Sequence, residues 1–243
     1  MHPLICQIGP FSVYSYGAML VLAFLVSSYL AQEKAKTIGI NPEAIFNLSF
    51  IALISGIIGS RLFYVILHFG QYLENPLGII KIWEGGLSWF GGLFFGLIAA
   101  TVYIRRKGLA VYRVLDLLVP FLALGQSIGR IGCFLNGCCY GVQAKWGLYF
   151  PVHERILIPT QIFSSLALLL IFIILRFLQE RPHQAGEVLF IYLILYSLKR
   201  FFIEFWRADN QIVIFGLTYF QIISVFIFFV SLWKIYTLRY SRR

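Results

Sequence analysis

Long apolar stretches separated by short polar loops recur along the whole chain. Seven of them come close to the roughly 20 residues that a helix needs to cross a bilayer. We predict these helices at Phe11–Gln32, Pro42–His68, Leu87–Tyr103, Leu115–Gly129, Thr160–Phe177, Glu187–Phe205 and Leu217–Tyr236. The fourth is the shortest, and Pro120 with the glycines at its end favours a bend or a partly re-entrant stretch. The pattern predicts an all-α polytopic integral membrane protein with about seven transmembrane helices.

The composition agrees with this interpretation. The 243 residues are 60% hydrophobic and 12% charged, whereas a soluble domain averages about 25% charged residues. Because the chain has no polar linker long enough to separate domains, residues 1–243 are predicted to form a single transmembrane domain. Residues 1–10 lack the basic leader of a signal peptide, so we expect the first apolar segment to be retained.

The basic residues indicate how the chain is oriented. The net charge of +10 would suggest a nucleic-acid partner in a soluble protein, but here the basic residues fall largely in short loops, and we predict no nucleic acid. One set of loops and the C-terminal tail hold twelve Lys and Arg residues, and the opposite side of the membrane holds seven. The positive-inside rule then predicts a cytoplasmic C-terminus and an N-terminus outside.

Four polar or ionisable side chains lie at a similar depth, within or at the outer ends of predicted helices. They are Tyr16, Arg61, Arg130 and Arg200, each in the outer part of a different helix. Ionisable groups within a bilayer are costly and are candidates for function. The alternative is that such arginines reach the lipid headgroups with their long side chains, and this applies most strongly to Arg207.

One face of the sixth predicted helix carries three polar groups. Tyr196, Arg200 and Glu204 recur every four residues and therefore lie on the same side. Arg200 and Glu204 could form an ion pair that only satisfies both charges. Alternatively, Glu204 orients the guanidinium while its remaining donors face a substrate, and the two interpretations are compatible.

The stretch from Gly125 to Gly141, GQSIGRIGCFLNGCCYG, concentrates the residues that are suited to chemistry. Arg130 stands between Gly129 and Gly132, where a close backbone approach is possible and a planar cation suits a phosphate. A second glycine-rich stretch, WEGGLSWFGG from Trp83 to Gly92, opens the third helix. It predicts either an interfacial turn with an aromatic belt or a groove for lipid.

Cys133, Cys138 and Cys139 allow three interpretations. On the outer side they could form a disulfide that staples the loop, or one thiol near the arginines could be catalytic or accept a group. A zinc site needs about four ligands, and C-x4-C-C without a nearby histidine matches this poorly, so we predict no metal. Cys6 is expected to be inert.

Six segments along the chain, in order, resemble the prolipoprotein diacylglyceryl transferases of bacterial membranes. They are IGPFSVYSYG (residues 8–17), GSRLFYV (59–65), WEGGLSWFGGL (83–93), GRIGCFLNGCCYG (129–141), PTQIF (159–163) and YSLKRFFIEFWR (196–207). The segments extend over nearly the whole chain, which makes the resemblance more specific than a single Gly-Arg-x-Gly.

The resemblance implies an enzyme of lipoprotein biosynthesis. Such enzymes move the diacylglyceryl group of phosphatidylglycerol onto the lipobox cysteine thiol in the signal-peptide region of a prolipoprotein. A thioether forms and glycerol-1-phosphate is released. The resemblance also implies no cofactor, a multi-pass location in the bacterial cytoplasmic (inner) membrane, seven spans with an external N-terminus, and an active site toward the outer leaflet.

The resemblance assigns roles to individual residues. Arg130 and Arg200 match the two essential arginine positions and would hold the phosphate. The other expected catalytic residues are Tyr16 and Tyr196, which would position the headgroup, and Glu204, which would orient Arg200. Asn136 and Gly141 are expected to shape the central loop. The expected substrate-binding residues are Arg61, Gly85, Gly86, Phe90, Gly91, Gly92, Gly129, Gly132, Cys133, Asn136, Cys138, Gly141 and Arg207.

Three positions depart from the family pattern. Phe90 replaces a glycine-flanked histidine, Cys133 replaces an asparagine, and Cys138 replaces a glutamate. If that histidine is the base for the incoming thiol, this chain must use another. Three rival functions therefore stay open: transfer of the same group to another acceptor, lipid binding without chemistry, and thiol–disulfide exchange, although no C-x2-C supports the last.

Overall fold

The computed structural model describes residues 1–8, 11–74, 76–82 and 85–240, and most of them are helical. The helices are α1 (Ser15–Thr37), α2 (Pro42–Leu67), α3 (Phe69–Glu74), α4 (Trp89–Arg106), α5 (Val111–Asn136), α6 (Thr160–Gln179), α7 (Glu187–Glu204) and α8 (Tyr219–Tyr240), with a 3₁₀ turn at Pro76–Ile80. The strands are β1 (Leu4–Ile8), β2 (Phe11–Tyr14), β3 (Gln143–Phe150), β4 (Arg155–Leu157), β5 (Ile212–Ile214) and β6 (Leu217–Thr218).

Among the described residues, five helices are long and apolar enough to cross a membrane by length and composition: α1, α2, α5, α6 and α8. The coarse prediction of a polytopic helical membrane protein is consistent with them. Within the described ranges, α4 and α7 are the other helices with at least 18 residues. The count of seven spans and the orientation of the termini stay predictions.

Within the described ranges, three two-stranded antiparallel sheets accompany the helices and correct the all-α prediction. The first, β1 with β2, takes up the start of the first predicted helix, so α1 begins at Ser15 and not at Phe11. The Ser15 N–H donates to the Pro3 carbonyl at 2.9 Å, and its hydroxyl donates to the His2 carbonyl. These bonds tie the N-terminal strand to the start of the helix, which the hydropathy pattern could not indicate.

The fourth predicted helix is longer in the structure than the sequence indicated. Instead of ending or bending near Gly129, α5 continues through Pro120 as one 26-residue helix and ends at Asn136. Arg130 and Cys133 therefore lie in its last turns. Its glycines face α1: a Cβ on Gly125 would lie 2.8 Å from Ser27 Oγ, and one on Gly132 would lie 2.9 Å from Met19 Cβ. Small residues let membrane helices approach closely in this way.

The chain divides into two compact units, so the prediction of a single domain stays untested. Unit one comprises Met1–Leu30 and Leu115–Arg243, and unit two comprises Ala31–Val114. The core of unit one joins α5, α6 and α7 through Val119, Ala123, Leu168, Ile171, Leu175, Val188 and Tyr192. In unit two, the backbones of α2 and α4 are in direct contact. A Cβ on Gly91 would lie only 2.4 Å from the Gly59 carbonyl oxygen.

A buried carboxylate from α5 binds the N-terminus of α7. Asp116, near the start of α5, accepts hydrogen bonds from the backbone N–H groups of Gly186 at 2.6 Å and Leu189 at 2.7 Å. The first N–H groups of a helix have no partner within it, and an anion there satisfies them and interacts favourably with the helix dipole. Asp116 therefore positions the helix that carries Arg200 and Glu204.

We expect Asp116→Ala to lower the free energy of unfolding by about 1–3 kcal/mol, because two buried N–H groups lose a charged acceptor. Asp116→Asn retains one acceptor oxygen and should lose less. Thermal unfolding of the detergent-purified variants measures both. Equal midpoints for Asp116→Ala and the wild-type protein would contradict this role.

Candidate functional site

Four basic side chains gather in unit one. Arg130 comes from the end of α5, Lys199 and Arg200 from the last turns of α7, and Arg207 from the segment after it. The positive charges of all three arginines act on Lys199, whose residue is only 9% exposed. Like charges repel strongly in such a poorly hydrated place. The arrangement therefore favours an anion as its occupant.

Glu204 is the buried carboxylate among these cations. Its Oε2 lies 3.1 Å from Arg200 Nη2, and its Oε1 accepts hydrogen bonds from Asn210 Nδ2 at 2.7 Å and Thr218 Oγ1 at 2.9 Å. Glu204 is thus fixed from two further segments and fixes Arg200 in turn. The predicted Arg200–Glu204 ion pair is present, and its part in catalysis stays a prediction.

Aromatic faces hold two of the cations. The Arg200 guanidinium carbon lies 4.3 Å from the centre of the Phe220 ring, and Lys199 Nζ lies 4.3 Å from that of Tyr196. Such contacts stabilise a cation that has lost water. Lys199 was counted in the sequence only as an outer basic residue. Its burial was missed because it directly precedes Arg200, and adjacent residues on a helix face different directions.

Arg207 is held by Asp209 and by a thiol. Its Nε and Nη2 bond to the two carboxylate oxygens of Asp209 at 2.8 and 2.5 Å, and its side chain is only 7% exposed. Burial opposes the charged form, but the hydrogen bonds that Arg207 donates to Asp209, together with the charge of that carboxylate, outweigh burial and raise the pKa of Arg207 above its ordinary value. The enclosed side chain of Arg207 favours a role at the site over the alternative that it extends to the headgroups.

The three central cysteines are brought together. The sulfur atoms of Cys133, Cys138 and Cys139 all lie within 4.8 Å of one another, and each residue is a free thiol. Arg207 bonds to the Cys139 sulfur. Hydrogen bonds from Cys133 and Cys138, followed by the charges of Arg207 and Arg130, hold the pKa of Cys139 far below its ordinary value. The predicted disulfide is not formed in this structure.

The start of α6 holds the turn that carries Cys138 and Cys139. Thr160 Oγ1 donates to the Cys139 carbonyl at 2.7 Å, and Gln161 Nε2 donates to the Cys138 carbonyl at 2.6 Å. Cys139 has a left-handed φ of 62°, which is uncommon for a residue other than glycine. The PTQIF segment therefore supports the central loop, a role that its sequence did not reveal.

Gly141 lies where three segments cross. Its N–H donates to the Ile158 carbonyl at 2.9 Å, and the next N–H, from Val142, donates to the Trp206 carbonyl at 2.8 Å. A Cβ on Gly141 would lie 2.6 Å from the Trp206 carbonyl oxygen and 2.8 Å from Ile158 Cβ. Only glycine fits at this position without displacing backbone, which is the reason for the close approach of the three segments.

The remaining candidates in unit one surround the thiols. Tyr16, on α1, interacts electrostatically with all three thiols and with Arg130. Asn136 hydrogen-bonds to Cys138. Gly129 and Gly132 face α1: a Cβ on Gly132 would lie 3.4 Å from Tyr16 Cδ2, and one on Gly129 would lie 3.6 Å from the Leu20 side chain.

His153 also belongs to this region, although it lies outside the segments that carried the resemblance. Its Nε2 lies 2.8 Å from the Gly137 carbonyl oxygen, and its ring centre lies 4.1 Å from that of Tyr140. The sequence separation of 16 residues from Gly137 concealed this contact, which depends on the β3–β4 hairpin.

The candidates in unit two form a group of their own. Arg61 donates to the carbonyls of the loop before α4, with distances of 2.5 Å to Gly78, 2.9 Å to Ile79, 2.6 Å to Gly85 and 2.9 Å to Gly86. Both Gly85 and Gly86 have left-handed φ, at 88° and 73°.

Three further predicted residues of unit two lie in the first turn of α4. Phe90 is 55% exposed, whereas Gly91 and Gly92 pack against the α2 backbone. Trp83, Glu84, Gly9 and Pro10, which belong to matched segments, and Arg242 and Arg243, which entered the charge count, lie outside the described residues.

Comparisons with known proteins agree with these observations. The family model for prolipoprotein diacylglyceryl transferase matches residues 3–237. The chain is similar to the phosphatidylglycerol–prolipoprotein diacylglyceryl transferase of Clostridium tetani, with 34% identity over 242 residues, 96% of each chain. The enzyme of the same name from Synechococcus elongatus is 36% identical over 224 residues, 86% of this chain and 78% of its own.

We expect Gly141→Ala to destabilise the protein by about 1–3 kcal/mol, because the new methyl group must displace backbone. Gly129→Ala is the matched control in the same segment. Its methyl group would meet Leu20 at an ordinary 3.6 Å, so its effect should stay within about 0.5 kcal/mol. Thermal unfolding in detergent compares them, and equal losses would contradict the steric account.

Proposed function

The chain belongs to the prolipoprotein diacylglyceryl transferase family, and from this we propose that it transfers the diacylglyceryl group of phosphatidylglycerol to a prolipoprotein cysteine. The product is a thioether, and glycerol-1-phosphate is released. The observation that carries the proposal is the cluster of four basic side chains around the buried Glu204, directly beside three thiols and Tyr16. It combines an anion site with a region suited to thiol chemistry.

The bonds that change explain the need for the cations. The acceptor sulfur attacks the terminal glyceryl carbon, a C–S bond forms, and the C–O bond to phosphate breaks with its electron pair moving to the phosphate oxygen. Negative charge therefore accumulates on the leaving phosphate. Fixed cations in a site with little water stabilise such charge without having to reorganise. Arg130 and Arg200 are assigned to the phosphate, and Lys199 adds positive charge beside them.

The other side chains act by position. Glu204 orients Arg200, Tyr16 and Tyr196 contact the headgroup, and Gly141 keeps the central loop in place. In unit two, Arg61 holds the loop of Gly85 and Gly86 through backbone carbonyls, which supports a positioning role for it. Arg61 is therefore proposed to affect substrate binding indirectly, by holding this loop.

The proposal also specifies how the enzyme lies in the membrane. The enzyme crosses the bacterial inner membrane seven times as one domain, with its N-terminus outside and its active site toward the outer leaflet. The distribution of Lys and Arg supports this orientation. The acceptor is the lipobox cysteine in the signal-peptide region of the prolipoprotein.

Mass spectrometry of a lipobox peptide, incubated with purified protein and phosphatidylglycerol, tests the reaction. We expect the peptide to gain one diacylglyceryl group, and Arg130→Ala and Arg200→Ala to slow this by at least about 10²-fold, because each removes a donor to the leaving phosphate. Arg155→Ala, which removes an exposed arginine on β4, is the control and should retain the rate. Phosphatidylglycerol bound without any transfer by the wild-type protein would instead support a lipid-binding protein.

Glu204→Gln tests whether Glu204 orients Arg200. The amide oxygen can still accept from Asn210 and Thr218, but the charge beside Arg200 is lost. We expect kcat to fall by about 10- to 100-fold with a much smaller change in KM, because the phosphate is still bound but less well aligned. A purely structural role would lower the unfolding temperature and leave the kcat of the folded fraction unchanged.

A further inference from the structure

The proposed function gives the thiols of Cys133, Cys138 and Cys139 no defined chemical step. Their sulfur atoms lie within 4.8 Å of one another, whereas three sulfurs on a tetrahedral zinc ion lie about 3.8 Å apart, given Zn–S bonds of about 2.3 Å. Small side-chain rotations would close this difference. Three thiolates are soft ligands that favour closed-shell ions such as Zn²⁺.

The number of ligands is itself informative. In the described ranges, no other cysteine, histidine or carboxylate joins this group of three. Structural zinc sites use four protein ligands, while catalytic sites use three and leave a position for water or substrate. The spacing C-x4-C-C is a poor match for a structural zinc site, which needs four ligands. The three thiols do fit a zinc site with three protein ligands and one open position.

The backbone holds the cluster in its geometry. Consecutive side chains usually diverge, but the left-handed φ values of Gly137 (78°) and Cys139 (62°) turn Cys138 and Cys139 back toward Cys133 on α5. Thr160 and Gln161 bind the two carbonyls of this turn. An uncommon backbone conformation that its surroundings hold in place is typical of preorganised sites.

The charges around the cluster also fit. Zinc with three thiolates carries a net charge of −1, which becomes −2 with a fourth thiolate. Arg207 bonds to the Cys139 sulfur, and the charge of Arg130 acts on the same thiol. Groups that contact metal ligands in this way commonly orient the ligands and tune the metal site.

We propose that Cys133, Cys138 and Cys139 bind one Zn²⁺ and that its open position binds the acceptor cysteine as a thiolate. The inference rests on the proposed function. On coordination the acceptor thiol releases its proton to water, since a metal-bound thiol is deprotonated. The thiolate electron pair then forms the C–S bond while the C–O bond breaks toward the phosphate. Zinc is neither oxidised nor reduced, and the neutral thioether dissociates from it.

Cobalt substitution tests the binding site without any activity assay. Purified, reduced protein titrated with Co²⁺ should take up one ion per chain and show intense sulfur-to-cobalt charge-transfer absorption. Cys139→Ser should weaken this absorption, whereas Cys6→Ser, which changes an exposed cysteine outside the cluster, should not. Absence of charge-transfer absorption in the wild-type protein, or full absorption in Cys139→Ser, would overturn the site.

The same spectrum tests the open position. Adding a lipobox peptide should strengthen the charge-transfer absorption, because a fourth sulfur joins the ion. A peptide with serine in place of its cysteine should leave the spectrum unchanged. An identical response to both peptides would overturn the claim that the acceptor binds the metal.

Zinc removal separates this inference from the proposed function. Protein stripped by a chelator should lose at least about 10²-fold in transfer rate and regain it with Zn²⁺, as expected when the thiolate is no longer generated. Full transfer by metal-free protein would overturn the zinc site and leave the transferase intact. A cobalt spectrum as predicted, without transfer by the zinc-loaded protein, would contradict the transferase and retain the metal site.

Discussion

The ion pair between Arg200 and Glu204 is the interaction on which the site depends. Four cations cannot share a poorly hydrated region unless a carboxylate offsets part of their charge, and Glu204 does so while Asn210 and Thr218 hold it. The pair neutralises one charge and leaves the cluster with a net positive charge. The proposed reaction needs that surplus for its phosphate leaving group, so under this proposal the same contact serves both stability and chemistry.

The backbone around Gly141 brings this site together from distant parts of the chain. Here the loop after α5, the residue that follows β4 and the segment after α7 meet through main-chain hydrogen bonds. The start of α6 fixes the adjoining turn through Thr160 and Gln161. Arg207 and the thiols consequently lie side by side although they are about 70 residues apart in the sequence. Such a crossing tolerates only glycine, since any Cβ would collide with a carbonyl.

The sequence was sufficient where local patterns decide the outcome. Hydropathy located the long helices, and the spacing of Tyr196, Arg200 and Glu204 predicted their shared face. It failed where distant contacts decide: the hairpins, the continuation of α5 to Asn136, the capping of α7 by Asp116 and the burial of Lys199. The gathering of the three thiols belongs to the same class, because it depends on the left-handed turn at Cys139 and not on the spacing C-x4-C-C.

The most direct test of the proposed site is an experimental structure of the protein with phosphatidylglycerol bound. We expect the lipid phosphate to lie within about 3 Å of guanidinium nitrogens of both Arg130 and Arg200, with its glyceryl carbon facing the thiols. We also expect the Arg200–Glu204 ion pair to be retained. A phosphate bound elsewhere, for example by Arg155 and Lys145 on the β3–β4 hairpin, would contradict the assignment of the cation cluster to the leaving group.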